Sequence, residues 1–309
     1  MAFSIKCIGF ALGDSLIDVS EISEDFEKAI LKTGIPVVFE STTTAYGLAL
    51  QACSDLQDRL GESLSHVGAI IYVSQSPVES LPASACRIQY ELKLDQCCLA
   101  FDIAQGCSGF VQGLYLASQI LPDVKSVLLI CADTYRHKLD RLDRSTSTIF
   151  SDAATATLIT DKPELEIVGS THVTDGAGAD LLFHSYDKSR NLGKLYMSGS
   201  DVLLFTKRVV FKQALDTIQQ SGLSLGDITN VVVHQASKLV LDELEKKFGS
   251  DINFVRDIAR YGNTVSSSIP LLLQDKLSIL KQGPTVLSGF GVGLSSSCVV
   301  VVPVGQNDY

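Results

Sequence analysis

The chain has 309 residues, 46% of them hydrophobic, and a net charge of −10; that is enough apolar material for one large or two ordinary domains without covalent staples. The negative charge and the lack of a basic patch with interleaved aromatics argue against nucleic-acid binding, and an acidic partner would need a local basic cluster. Eight cysteines without paired C-x-x-C spacing point to neither a metal site nor a disulfide framework; reduced thiols, and hence a cytoplasmic setting, are expected.

The opening "MAFSIKCIGFAL" has no secretory signal pattern, and no apolar run reaches membrane-spanning length. Along the chain, short β-rich runs alternate with helical patterns. "AIIYVSQ", "CLAFDIA", "SVLLICAD" and "TATLIT" fall in the first half, and "NVVVHQ", "INFVRDIA", "TVLSGF" and "SCVVVVPV" in the second. The alternation predicts an α/β layered fold, and the continuously apolar runs predict strands covered on both faces.

The halves resemble each other. "AIIYVSQS" at 69–76 matches "NVVVHQAS" at 230–237, and "DIAQGCS" at 102–108 matches "DIARYGNT" at 257–264 after a one-residue insertion. This pairs Ser74 with His234, and Gly106-Cys107-Ser108 with Gly262-Asn263-Thr264. Two copies of one α/β unit are expected, 1–162 carrying the cysteine and 163–309 the histidine and asparagine, joined near "TDKPELE".

Phe110, Leu114, Ala117 and Leu121 recur at helical spacing, which sets Cys107 at the first turn of a helix. There, helix N–H groups and the dipole favour a thiolate, although an apolar setting equally suits a small core residue. His234, ending an apolar strand, is either a hydrogen-bonded core group or a catalyst, and Asn263 is a helix N-cap or a site residue. The repeat brings Cys107 and Asn263 to equivalent helix starts with His234 nearby. A thiol, an imidazole and an amide converging in one pocket suit acyl transfer.

With these residues the chain resembles the β-ketoacyl-acyl carrier protein synthase III family of the thiolase-like superfamily. The matching pieces are "KTGI" at 32–35, "LPASACRIQ" at 81–89, "AFDIAQGCSGFVQGL" at 100–114, "DRSTSTIFSDAATATLI" at 143–159, "LYMSGSDV" at 195–202, "VVVHQAS", "YGNTVSSSIP" at 261–270 and "FGVGLSS" at 290–296.

The resemblance implies a five-layer αβαβα thiolase-like fold of two duplicated halves, usually a homodimer. It implies that Cys107 takes an acyl group from a coenzyme A or carrier-protein thioester. A malonyl thioester then loses carbon dioxide and attacks that group, His234 and Asn263 holding the enolate. The backbone N–H groups of Cys107 and Val292 would hold the oxyanion; without the resemblance, Gly289, Gly291 and Gly293 would suit a tight turn. No metal and no permanently bound cofactor is implied, and acyl-CoA or acyl carrier protein enters as substrate.

The chain also departs from the family. "TGIPVVFE" lacks the arginines expected after T-G-I, no tryptophan is present, and Leu239 stands where a carrier-docking arginine is expected. These losses predict altered donor specificity in a specialised pathway. Arg144, Lys207, Arg208, Lys212, Arg256 and Arg260 are the remaining candidates for thioester or carrier-protein binding, with a solvated helix face as the other account of Lys207–Lys212. Leu81 aligns with a position that reaches across the dimer to wall the acyl tunnel. The competing expectations are an acyltransferase passing the group from Cys107 to an amine or hydroxyl, and a noncatalytic partner subunit.

Overall fold

The computed structural model describes residues 2–185 and 193–305, and a nine-stranded mixed sheet runs through both halves. In order, its strands are Asn253–Val255, Asn230–Val233, Thr285–Gly291, Ser295–Pro303, Ala153–Thr174, Ser126–Asp133, Ala69–Val73 and Leu99–Ile103. Ala2–Leu12 pairs with Ala153–Thr174 beside this path. Ala69–Val73 lies between two parallel partners, Leu99–Ile103 and Ser126–Asp133. Asn230–Val233 lies between Asn253–Val255 and Thr285–Gly291 in the same way. The two segments that match each other in sequence thus occupy corresponding places.

The 22-residue strand Ala153–Thr174 carries one half into the other. Through Thr160 it pairs with Ser126–Asp133, and from Leu165 onward with Ser295–Pro303. The expected junction at 162/163 falls inside it, where Asp161, Lys162 and Pro163 are exposed.

Period-two alternation sorts the strand side chains into layers. Ile71, Leu129, Val232, Leu287 and Val299 face inward onto helices Gly109–Val124 and Ser268–Leu273. Ile70, Tyr72, Leu128 and Ile130 face outward under Ala45–Leu60 and Ser84–Glu91. Val231, Val233, Val286 and Val300 face outward under Gly199–Gln220 and Lys238–Phe248. The result is five layers, αβαβα, with the strand ends and helix starts of both halves meeting at the centre.

Two sequence expectations are corrected and one strand is added. Ala2–Leu12, not among the runs expected as strands, is an 11-residue strand, its apolar run broken by Lys6 and Gly9. "INFVRDIA" is a strand only from Asn253 to Val255, and a short helix starts at Ile258. Leu99–Ile103 is a sheet edge, covered on neither face completely, with Leu99 47% exposed.

Ala2–Leu12 and helix Ala45–Leu60 approach so closely that a Cβ at Gly9 would lie 2.3 Å from Leu56 N and 2.4 Å from Ala52 O. Neither backbone atom can swing aside. Gly9→Ala is expected to lower the unfolding free energy in urea by about 1–3 kcal/mol through overpacking; an unchanged midpoint would show slack in this contact.

Candidate active site

Cys107 sits in the turn after Leu99–Ile103, one residue before the Ser108 that caps helix Gly109–Val124. The Ser108 hydroxyl lies 2.8 Å from Ser295 Oγ, which pins the helix start to the other half. A Cβ at Gly289 would lie 2.6 Å from Cys107 O, and one at Gly291 3.0 Å from Cys107 Sγ. Strand Thr285–Gly291 therefore passes directly against Cys107, and its glycines serve that approach. The backbone N–H groups of Cys107 and Val292 both favour negative charge on the sulfur.

Those two donors stabilise a thiolate, as a helix start should, but they are outweighed. Burial, reinforced by the charge of Asp133, pushes the Cys107 thiol up to about 12. Of the two influences on Cys107, burial is the larger, and it favours the thiol.

His234 follows Asn230–Val233 and is 1% exposed. Its backbone N–H donates to Ser288 O at 2.9 Å, its Nδ1 lies 2.7 Å from Ser268 Oγ, and Phe290 packs edge-on at 5.6 Å. Burial pushes its pKa down to about 3, so the imidazole is neutral. When the Ser268 hydroxyl donates to Nδ1, Nε2 carries the proton and is a donor; in the other tautomer it is an acceptor.

Asn263 does not cap a helix. It lies ahead of the 3-10 turn Val265–Ser267, whose first N–H donates to Asn263 Oδ1 at 3.0 Å. That bond fixes which way the amide faces, and Nδ2 lies 3.4 Å from Ala236 O. The main chain of Asn263 bridges to the other half, its N–H donating to Ile149 O at 3.0 Å and its carbonyl accepting from Ser151 N at 2.9 Å.

Cys107, His234 and Asn263 line one cavity of about 160 Å³, walled by apolar groups that include Phe150, Leu182, Val202 and Phe290. A larger cleft of about 550 Å³ shares Ile149, Met197, Leu203 and Leu239 with it. The cleft reaches a surface lined by Arg144, Lys28 and Lys32. Arg144 is bound to Asp25 at 2.7 Å, whereas Lys32 makes no ion pair among the described residues. Sequence reasoning missed both lysines, although Lys32 opens "KTGI". Leu239 is 50% exposed where the cavities meet, so no basic group stands there.

The other candidates line neither cavity. Lys207 lies 3.9 Å from Glu243, and Arg208 and Lys212 are exposed on the same helix. Arg256 is bound to Asp242 and Glu245 at 2.9 and 2.7 Å, and Arg260 lies 3.4 Å from Asp275. Leu81 is 79% exposed on the loop before helix Ser84–Glu91 and lines neither of these two cavities. Among the described residues no group of three or more His, Cys, Asp and Glu is placed to hold a metal, and no helix is long and apolar enough to cross a membrane.

Because desolvation dominates at the sulfur, alkylation of Cys107 by iodoacetamide is expected to be slow at pH 7 and to rise about tenfold per pH unit through pH 9, tracking the thiolate fraction. A plateau already reached near pH 7 would show instead a thiolate held by an imidazolium.

The family model for 3-oxoacyl-[acyl-carrier-protein (ACP)] synthase III matches residues 101–176, and its C-terminal counterpart matches residues 218–302. The chain is 32% identical over 271 residues to the β-ketoacyl-[acyl-carrier-protein] synthase III of Clostridium tetani, covering 80% of this chain and 81% of that one. Among solved structures, the 3-oxoacyl-(acyl carrier protein) synthase of Burkholderia xenovorans superimposes with a TM-score of 0.87 at 30% identity, over 99% of this chain and 95% of that one. The synthase III of Pseudomonas aeruginosa gives 0.88 at 27% identity, over 98% of each. Identity at this level, spread over both halves and carried by a common fold, leaves one conclusion: the chain belongs to the 3-oxoacyl-[acyl-carrier-protein] synthase III family.

Proposed function

We propose that this protein is a condensing enzyme with altered donor specificity, which loads an acyl group on Cys107 and extends it with a malonyl thioester. The observation that carries this is the shared apolar cavity, in which a buried thiol, a neutral imidazole and an oriented amide meet. In the first stage the sulfur attacks the thioester carbonyl, a new C–S bond forms, and the departing thiol takes the proton that Cys107 releases. The developing oxyanion is held by the N–H groups of Cys107 and Val292.

In the second stage the bond from the malonyl methylene carbon to its carboxylate breaks, and carbon dioxide leaves. The electron pair is held as an enolate whose oxygen accepts hydrogen bonds from His234 Nε2 and Asn263 Nδ2. The enolate carbon attacks the acyl group, and Cys107 departs as a thiolate that takes up a proton from solvent. A neutral His234 suits this role, since it donates without needing to be charged.

The donor, on coenzyme A or a carrier protein, would enter by the cleft lined by Lys28, Lys32 and Arg144, whose positive groups suit phosphate or an acidic carrier surface. Lys207, Arg208, Lys212, Arg256 and Arg260 would act there only as a more distant field. A homodimer is part of the proposal, because it would cover the open edge strand Leu99–Ile103 and exposed Leu81. Light scattering is expected to give twice the chain mass, and a monomer at micromolar concentration would remove this part.

The test is intact mass after incubation with acyl-CoA and acyl-carrier-protein donors. An acyl increment is expected on the wild type and none on Cys107→Ser. Asn263→Ala is expected to load within about tenfold of wild type while carbon dioxide release from malonyl thioester falls by about 10²–10³. Loading followed by transfer to an amine or hydroxyl without carbon dioxide would make the protein an acyltransferase. No adduct from any donor would leave a noncatalytic partner subunit.

A further inference from the structure

Against the turn that carries Cys107 lies another cavity, of about 270 Å³, lined by Ser74, Gln75, Tyr135, Lys138, His184 and Val292 among others. Tyr135 lines both this cavity and the one that holds Cys107, His234 and Asn263. It also borders Cys107 through Val292, whose backbone N–H favours negative charge on the sulfur. A Cβ on Gly106 would lie 2.4 Å from Gln75 Oε1 and 2.9 Å from Val292 Cγ1, so these two side chains form the partition between that turn and this space. The volume admits a short chain rather than one or two waters.

Pro77, Ala104, Phe183 and Leu195 give this cavity apolar wall as well, but it also carries an ammonium, which the walls around Cys107 do not. The Lys138 ammonium donates to Gln75 O at 2.5 Å and Ser76 Oγ at 3.0 Å and lies 5.2 Å from the centre of the Tyr135 ring. An ammonium has three donors, so one remains for whatever fills the cavity. Lys138 makes no ion pair among the described residues; the carboxylates of Asp133 and Asp152 act on it only at longer range. Gln75 Oε1 accepts from the Tyr135 hydroxyl at 2.6 Å, which turns its NH₂ group away, and that group makes no hydrogen bond among the described residues. A half-buried cation and an amide donor therefore border a space that an alkyl chain would fill without satisfying either.

We infer that this cavity receives the far end of the acyl group on Cys107 and that Lys138 and Gln75 select short acyl groups ending in a carboxylate, the half-thioesters of dicarboxylic acids. The inference rests on Cys107 being the acyl acceptor. The carboxylate would take the free donors of Lys138 and Gln75 and give the half-buried ammonium a counter-charge, while the thioester carbonyl stays at the Cys107 and Val292 N–H groups. A site built to bind a polar end rejects the isostere that lacks it.

The test compares succinyl and glutaryl thioesters with their branched isosteres, 4-methylpentanoyl and 5-methylhexanoyl, each on coenzyme A and on a carrier protein. The rate of acyl mass gain on Cys107 is measured in wild type, Lys138→Met and Lys138→Arg. The wild type is expected to favour the carboxylates at least about tenfold, Lys138→Met to reduce that ratio at least about tenfold, and Lys138→Arg to keep part of it. Faster loading of the branched alkyl donors by the wild type, or an unchanged ratio in Lys138→Met, overturns the inference and leaves the condensing-enzyme proposal standing. No adduct from any donor overturns both.

Discussion

One buried carboxylate holds the centre of this molecule together. Asp133 ends strand Ser126–Asp133 with no exposed surface. It accepts from Gln75 N at 2.8 Å in its own half, and from the Ser266 hydroxyl at 2.5 Å in the other. Ser266 lies three residues beyond Asn263, whose main chain bridges the halves again at Ile149 and Ser151. A carboxylate so deep is costly unless its oxygens are satisfied. Burial pushes it up to about 6, while the Ser266 hydroxyl, the Gln75 N–H and the charge of Lys138 pull the other way. The donors that keep Asp133 tolerable are the ones that set the spacing of the two halves at the site.

The same burial governs the chemistry. Cys107 and His234 both lie where water has been removed, and each is pushed toward its neutral form, the thiol up to about 12 and the imidazole down to about 3. Asp133 adds to the effect on the sulfur. In the proposed reaction, a site of neutral groups in an apolar wall would favour charge that forms only in passing, at oxyanion and enolate, where fixed N–H donors act at full strength. Low resting reactivity of the thiol follows from the same dehydration that makes those donors effective.

Much of this was legible in the sequence. The repeat of "AIIYVSQS" in "NVVVHQAS" already put His234 at a strand end, and "DIAQGCS" against "DIARYGNT" put Cys107 and Asn263 at corresponding places; both follow from period and order along the chain. What stayed hidden depends on distant segments meeting. Asp133 looks like any polar residue ending an apolar run, because only the folded chain brings Ser266 to it. Lys28 and Lys32 sit on a short helix whose direction toward the cleft no local pattern reveals, whereas Arg256 and Arg260, near the asparagine in sequence, turn to carboxylates elsewhere. The cavity bordered by Lys138 is divided among segments around Gln75, Tyr135, His184 and Val292, and no window of sequence contains it.

The most direct test of the account is a single turnover of acyl-loaded protein with malonyl thioester labelled in its free carboxylate. The account predicts one labelled carbon dioxide for each acyl group lost from Cys107 and a β-ketoacyl product two carbons longer than the loaded group. Loss of the acyl group without carbon dioxide, the group appearing intact on another acceptor, would contradict it.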